Sequence, residues 1–359
     1  MRNLALGLMS GTSMDGIDVA IIDVHTQELV LGQTFAYPEQ VAKKLKLVME
    51  NGCFDMHYFA QLNREVGIAF ADAAYSLASE IQEPIQVIGS HGQTICHQTD
   101  DAIAYTWQLG CPYSIYEKLK VPVVFDFRSH NVVQGGQGAP LAPLYHQHLF
   151  GHEKSVAVIN IGGISNISLI REGQPVVGFD MGPGNCLLDA WIAKHQQKNY
   201  DAQGLWAQSG MLSKDLLDNL LTDAFFQKSF PKSIGKEYFS LAWLEKNPLI
   251  QMLKPEDVQA TLLHMTAFLI AQTVSLHLPK ESAVYICGGG VKNQTLMDEI
   301  KLLLADYWVQ SSDKKGISSD YLEAMMMAWL GACRIQGVRH DVSSILGGSD
   351  QQLLGLICQ

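Results

Sequence analysis

Two apolar runs, Leu4–Leu8 and Ile17–Val24, are joined by a stretch built mainly from small and hydroxylated residues, Gly7-Leu-Met-Ser-Gly-Thr-Ser-Met-Asp-Gly-Ile-Asp18. This pattern predicts a β-hairpin whose turn offers hydroxyls and backbone amides. Such a turn can wrap an anion, because glycine lets the backbone approach closely and successive N–H groups aim at one point. The idea recurs about 150 residues later, a spacing that suits a duplicated domain better than a short repeat. There Val156–Ile161 runs into Gly162, Gly163, Ser165 and Asn166, and Ile167–Ile170 runs back. Either turn alone could be only a turn. Together they predict a nucleotide held in a cleft between two related domains.

A third glycine-rich element, Gly288-Gly289-Gly290-Val-Lys-Asn293, follows the strand-like Ala283–Cys287, where open α/β sheets bind ligands. Walker A chemistry is excluded, since Gly235-Lys236 lacks the preceding glycine spacing and a following Ser or Thr. A dinucleotide fingerprint is excluded too, because Asn293 stands where its last glycine would be. The chain of 359 residues, 47% hydrophobic, is long enough for two domains with sizeable cores. Its net charge of −11 argues against a nucleic-acid partner, which would need a basic footprint. Seven scattered cysteines form no CxxC pair or zinc spacing, so reduced thiols in a cytoplasmic protein are expected. The apolar run after Met1-Arg2 is too short for a signal peptide. Leu262–Leu278 carries His264, Thr266, Gln272, Thr273 and Ser275, which marks a buried or amphipathic helix and not a membrane span.

Along the first half the pattern predicts a strand near 29–37, helices over 38–51 and 57–80, a strand Ile85–Gly89 ending in Ser90-His-Gly-Gln-Thr94, and a strand Val121–Phe127. Gln134-Gly-Gly-Gln-Gly-Ala-Pro140 reads as a junction between halves or a tight loop near one. The second half repeats the plan with a hairpin, a strand Val176–Asp180, and Asn185 placed to cap a helix Cys186–Gln196. Helices then dominate, ending in Tyr321–Ile335. Strand-then-helix order in each half predicts an α/β fold with mixed sheets.

Three expected strand ends deliver polar groups: His91 with Gln93 and Thr94, Asp126 with Arg128, and Asp180. A carboxylate at the rim of an apolar strand can have its pKa raised by desolvation and act as a base, although Asp180 also suits a turn or helix entry. His91 is either a site residue or a satisfied turn histidine. Arg128 either clamps an anionic substrate or pairs with Asp126 or another surface acid. Asp320-Tyr-Leu-Glu323 has capping-box spacing, and the apolar Ala-Met-Met-Met-Ala-Trp-Leu that follows marks a buried helix, so Glu323 is a cap or a site residue. His146, His148 and His152 lack an acidic partner at ligand spacing and are expected to be solvated or core histidines.

With these residues in view, the chain resembles the anhydro-N-acetylmuramic acid kinase family of the actin, sugar-kinase and heat-shock-ATPase superfamily. The resemblance rests on Met9-Ser-Gly-Thr-Ser-Met-Asp-Gly-Ile-Asp18, Ser90–Thr94, Phe125-Asp-Phe-Arg128, Gly135-Gly-Gln-Gly-Ala-Pro140, Asn160-Ile-Gly-Gly-Ile-Ser-Asn166, Phe179-Asp-Met-Gly-Pro-Gly-Asn185 and Gly288–Asn293. Met181 departs from it, since the family more usually has threonine there. The resemblance implies two actin-like (ribonuclease H-like) domains, 1–135 and 136–359, with the C-terminal segment able to pack back onto the first and the active site in the cleft between them. It implies that ATP with Mg2+ phosphorylates O6 of 1,6-anhydro-N-acetylmuramic acid while water opens the anhydro bridge at C1. The base by resemblance is Asp180, and His91, Arg128 and Glu323 carry over to the sugar pocket. Gly11, Thr12, Ser13, Met14, Asp15, Gly16, Ile17 and Asp18, with Gly162, Gly163 and Asn166, carry over to the phosphates. Gly288, Gly289, Gly290 and Asn293 fall beside the adenosine, and the magnesium ligands stay unassigned. Cytoplasmic recycling of cell-wall fragments, a homodimer, and no nucleic-acid or membrane partner complete the expectation. The alternatives are a kinase of an ordinary hexose or amino sugar, and an actin-like ATPase whose output is a shape change.

Overall fold

The computed structural model describes residues 2–11, 14, 16–51, 54–99, 101–229, 232–235 and 238–359. The chain divides into two compact units, Met1–Tyr145 with Gly316–Gln359, and His146–Lys315. In the first, β1 (Leu4–Ser10) and β2 (Ile17–Asp23) form the expected antiparallel hairpin, with Leu4 opposite Asp23 and Met9 opposite Asp18. Strand β3 (Leu29–Phe35) continues the meander beside β2. After helices Glu39–Asn51 and Met56–Ala78, β4 (Ile85–Gln98) returns parallel to β1. On the side of β4 away from β1, β6 (Val123–Phe125) runs parallel to its first half and β5 (Tyr105–Leu109) folds back along its far half. All seven residues of β1 are buried, which is why its sequence is a continuous apolar run and not an alternation.

The second unit repeats the design. Strands β7 (Ser155–Ile161), β8 (Ile164–Arg171) and β9 (Val177–Pro183) form an antiparallel meander. Parallel strands β10 (Ala283–Cys287) and β11 (Trp308–Ser311) extend it beyond β7. The orders β3-β2-β1-β4-β6 and β9-β8-β7-β10-β11 are the same, strand for strand and direction for direction. The long helix Pro255–His277 is buried along much of its length in the second core. No helix among the described residues is long and apolar enough to cross a membrane.

The C-terminal segment completes the first unit. A two-residue ladder, β12 (His340–Asp341) with β13 (Gln351–Gln352), precedes β14 (Leu356–Cys358), which pairs with β6. Helix Leu322–Ile335 lies so close to β1 and β4 that a Cβ on Gly7 would sit 1.8 Å from the Ala324 carbonyl oxygen, and one on Gly89 1.9 Å from that of Met327. Glycine is needed at both positions to admit the helix backbone. We expect Gly89→Ala to destabilise the protein by about 3 kcal/mol, the upper end of ordinary overpacking costs. A melting midpoint within a degree or two of wild type would contradict this close approach.

Three local expectations change. Ser90–Thr94 lie inside β4 and not beyond its end, because the strand continues to Gln98. Likewise Gly182 and Pro183 belong to β9. Asn185 stands at the start of helix Cys186–Gln196 but makes no capping bond; its Nδ2 donates instead to the Ile161 carbonyl (3.2 Å).

Candidate functional site

In the first unit the turn between β1 and β2 is tied down from β4. Gln93, fully buried, donates from Nε2 to the Gly11 carbonyl (3.2 Å) and accepts at Oε1 from Tyr37 (3.3 Å). The Ser10 hydroxyl lies 2.8 Å from both Gln93 Oε1 and the Gly16 carbonyl, and its single hydrogen serves one of them at a time. Met14, in the left-handed region at φ 58°, donates its N–H to the Gly11 carbonyl (3.1 Å). Ile17 is buried as the first residue of β2. Asp18 follows it, and its Oδ1 accepts from the Thr34 hydroxyl (2.6 Å). Thr12, Ser13 and Asp15 lie outside the described residues.

His91, Arg128 and Glu323 come together in the same unit. The His91 Nδ1 faces the Gly92 carbonyl at 2.8 Å, and its Nε2 faces the Arg128 Nε at 2.9 Å. A carbonyl can only accept and a guanidinium only donate, so the ring is neutral with its hydrogen on Nδ1. Burial, the Arg128 charge and, against them, the Gly92 bond leave the His91 pKa at about 3, which keeps that form at every working pH. Arg128 also donates from Nη1 to the Gly138 carbonyl (2.7 Å). Burial lowers its pKa to about 10, opposed by the Glu323 charge, so it remains a cation at neutral pH.

Glu323 is not a cap. Helix Leu322–Ile335 starts after Tyr321 with no side-chain capping bond, and the capping box does not form. Burial raises the Glu323 carboxyl pKa, Arg128 opposes the rise and Asp18 adds to it, so the charges of the sugar-side and phosphate-side candidates already interact. Asp126, with φ at 52°, does not pair with Arg128; its Oδ1 accepts from the Ser129 N–H (3.1 Å). A cavity of about 210 Å3 opens beside His91 and Asp126, with Ser90 and Trp107 in its wall.

In the second unit the three motifs converge on the carboxyl end of β7 and β10. Asn160, Asn166 and Asp180 are cross-strand partners on β7, β8 and β9, so they share one face of the sheet. The Gly162 and Gly163 carbonyls accept from the N–H groups of Asn185 and Gly184 (both 2.8 Å), which braces the β7–β8 turn against the start of helix Cys186–Gln196. Asp180 accepts at Oδ2 from the Ile234 N–H (2.9 Å) and donates its own N–H to the Lys232 carbonyl (2.9 Å). Burial pushes its carboxyl pKa up to about 6, against the lowering effect of the Ile234 bond. Met181 is buried beside it in the hydrophobic core.

Gly288, at φ 80°, leads into the short helix Gly289–Lys292, and a Cβ on it would meet Asn160 Oδ1 at 2.2 Å. Gly290 is buried against Ile161. Asn293 caps helix Gln294–Leu303 by accepting from the Leu296 N–H (3.0 Å). A cavity of about 490 Å3, within the usual range for a small-molecule site, is bounded by Gly289, Lys292, Asn293, Asn185, Asp189 and Tyr200. Sequence reasoning missed Asp189 and Tyr200, which have no motif of their own, and Lys292, which lies inside the Gly288–Asn293 motif. It also missed the segment Lys232–Ile234, which bonds Asp180 at both its backbone and its carboxylate. Asp201 shapes the adjoining wall, its carboxylate accepting from the N–H groups of Trp206 (3.0 Å) and Ala207 (2.9 Å). His146 is buried against Ser168 (2.8 Å), and no cluster of three or more His, Cys, Asp or Glu able to hold a metal occurs among the described residues.

Two copies of one five-strand order, each with a glycine-bearing hairpin turn, define the class of two-domain α/β proteins with actin-like, ribonuclease H-like units. The family model for anhydro-N-acetylmuramic acid kinase matches residues 3–359. The chain is 46% identical over 359 residues to an anhydro-N-acetylmuramic acid kinase of Legionella pneumophila (strain Lens), covering 99% of this chain and 98% of that one. Identity is 42% to the protein of the same name from Xanthomonas campestris pv. campestris (strain 8004), at 99% and 97% coverage. It is 38% to that of Haemophilus influenzae (strain ATCC 51907 / DSM 11121 / KW20 / Rd), at 98% and 97%. The chain belongs to the anhydro-N-acetylmuramic acid kinase family.

Proposed function

We propose that this protein uses ATP to phosphorylate O6 of 1,6-anhydro-N-acetylmuramic acid with hydrolytic opening of the anhydro ring, giving N-acetylmuramic acid 6-phosphate and ADP in peptidoglycan recycling. The observation that carries this is Asp180, a carboxylate whose proton affinity burial sets near neutrality, where a general base is most effective. O6 is an ether oxygen and has no proton to give up. The oxygen attacks the γ-phosphorus as the bond to the bridging oxygen breaks and ADP leaves, the C1–O6 bond breaks, and a water adds to C1 while its proton passes to Asp180.

The remaining roles follow from what each group offers. Gly11, Met14, Gly16, Ile17 and Asp18 of the first unit bind the phosphates of ATP, a role also proposed for Thr12, Ser13 and Asp15. Gly162, Gly163 and Asn166 of the second bind them too, and Gly288, Gly289, Gly290 and Asn293 flank the adenosine. Arg128, a cation fixed by His91, receives the acidic sugar, whose lactyl carboxylate suits a guanidinium fork. Glu323 accepts from sugar hydroxyls.

Magnesium fits as an ion carried on the nucleotide, since it needs only one or two protein carboxylates besides phosphates and water. Asp18 would hold it, and the ion would supply neutralisation of phosphate charge. We extend the proposal to a cytoplasmic homodimer with a small-molecule substrate and neither a nucleic-acid nor a membrane partner.

Running the reaction in oxygen-18 water is expected to place one label on C1 and none on the phosphate, faster than preformed product exchanges its anomeric oxygen. An ordinary hexose kinase would leave the sugar unlabelled, and an ATPase without a sugar acceptor would label phosphate. Either result overturns the reading.

A further inference from the structure

Asn131 is a polar side chain with no exposure at all, on the short helix Ser129–Val133, three residues after Arg128. A buried amide costs free energy unless its donors and acceptors are matched, and this one is held on two sides. Its Oδ1 accepts from the Gly138 N–H (2.7 Å) and its Nδ2 donates to the Gly347 carbonyl (2.9 Å). Its own carbonyl accepts from the Gly136 N–H (2.9 Å). The fit is tight: a Cβ on Gly136 would come within 2.3 Å of Asn131 Oδ1. A parallel bond joins the same loop to the same segment, from the Gln137 N–H to the Leu346 carbonyl (2.6 Å).

Gly138, which Asn131 grips at its N–H, is tied to the arginine at its carbonyl oxygen, one peptide unit further along. The Gly138 carbonyl accepts from Arg128 Nη1 (2.7 Å), and Arg128 Nε donates to His91 (2.9 Å). A continuous line therefore runs from the Gly347 carbonyl through the Asn131 amide to residue Gly138, then to the Arg128 fork and the His91 ring.

We infer that Asn131 is the positioning residue for Arg128, fixing the guanidinium through the Gly138 backbone and coupling the C-terminal segment to the sugar side. This rests on the sugar-side role given to Arg128 above. Asn131 itself touches no substrate. Its two bonds do different work: the Oδ1 acceptor sets Arg128, and the Nδ2 donor secures residues 346–348.

Two substitutions separate them. Asn131→Asp keeps an acceptor for the Gly138 N–H and loses the donor to Gly347. Asn131→Ala loses both. With the full-length protein, Asn131→Ala is expected to raise the sugar KM about tenfold or more, the scale of disturbing one charge-assisted bond, with kcat changed less. Asn131→Asp is expected to melt at a lower temperature yet keep the sugar KM within about threefold of wild type, since the acceptor that fixes Arg128 survives. If Asn131→Ala does not fold, Asn131→Ser takes its place under the same expectation, its smaller side chain leaving room for water to reach both backbone groups. Equal sugar KM values in wild type and the Ala or Ser variant would overturn the inference. So would a KM in Asn131→Asp raised as far as in Asn131→Ala. An inactive wild type would instead refute the substrate assignment, so the two failures are distinguishable.

Discussion

Asp180→Asn is expected to lower kcat by about 100-fold or more, the low end of what a positioned general base contributes. Asparagine nearly matches aspartate in shape, and its Oδ1 can still accept from the Ile234 N–H that now meets Asp180 at 2.9 Å. Binding of sugar and nucleotide should survive, because the change removes only the capacity to take a proton. The pH dependence tests the same group independently. A base works when ionised, and the Asp180 pKa stands at about 6, so wild-type turnover should rise with pH through about 6 and level off above it. The residual activity of the Asn variant should not show that rise. Stability should move the other way. The folded-state pKa is raised above the ordinary 3.8, so the contribution of Asp180 to folding is fully present below that value and is lost as pH climbs through about 6. At pH 8 the uncharged variant should therefore melt no lower than wild type. Wild-type turnover in Asp180→Asn would remove this residue from the mechanism.

Local pairing was the part of the fold most legible in the sequence. Both hairpins, β1–β2 and β7–β8, show as apolar runs around small-residue turns, because neighbouring strands joined by tight turns leave their period and punctuation in one short stretch. His91 and Gln93 misled the reading of β4: polar residues beside a glycine suggest a turn, yet here the strand continues to Gln98 and buries both side chains through bonds to distant groups. Glu323 could not be settled locally, since capping-box spacing is present and only the fold brings this half-buried acid within electrostatic reach of Arg128 and Asp18. The return of β14 to β6 is a contact between residues far apart in sequence, and so is the bond from Ile234 to Asp180. Neither leaves a periodic trace. Gly7 and Gly89 are legible only afterwards, because what excludes a Cβ there is the backbone of a helix more than 200 residues away.

Arg128→Ala should be the most damaging substitution on the sugar side, in stability and in kinetics together. Arg128 is the donor for both His91 Nε2 and the Gly138 carbonyl, and its charge opposes the rise that burial and Asp18 impose on Glu323. Without it, two buried acceptors lose their partner, and the half-buried Glu323 loses the charge that opposes its proton uptake. Leaving a buried acceptor without its donor costs about 1–3 kcal/mol, and Arg128 serves two of them, at His91 and Gly138. Glu323 would then take up a proton at a higher pH than before and stop accepting bonds. The sugar kcat/KM should fall by about 100-fold or more, comparable to losing a donor aimed at developing charge. Arg128→Lys distinguishes the two losses. An ammonium still opposes the rise in the Glu323 pKa, so most of the stability should return. It is a point charge on a flexible stem and cannot reproduce a planar fork that engages His91 and Gly138 at once, so the sugar KM should stay raised. Thermal melts and steady-state kinetics on both variants give the answer. If Lys restores the sugar KM fully, Arg128 acts by charge alone. If Ala leaves kcat/KM within threefold of wild type, neither the fork nor the charge at this position serves the sugar.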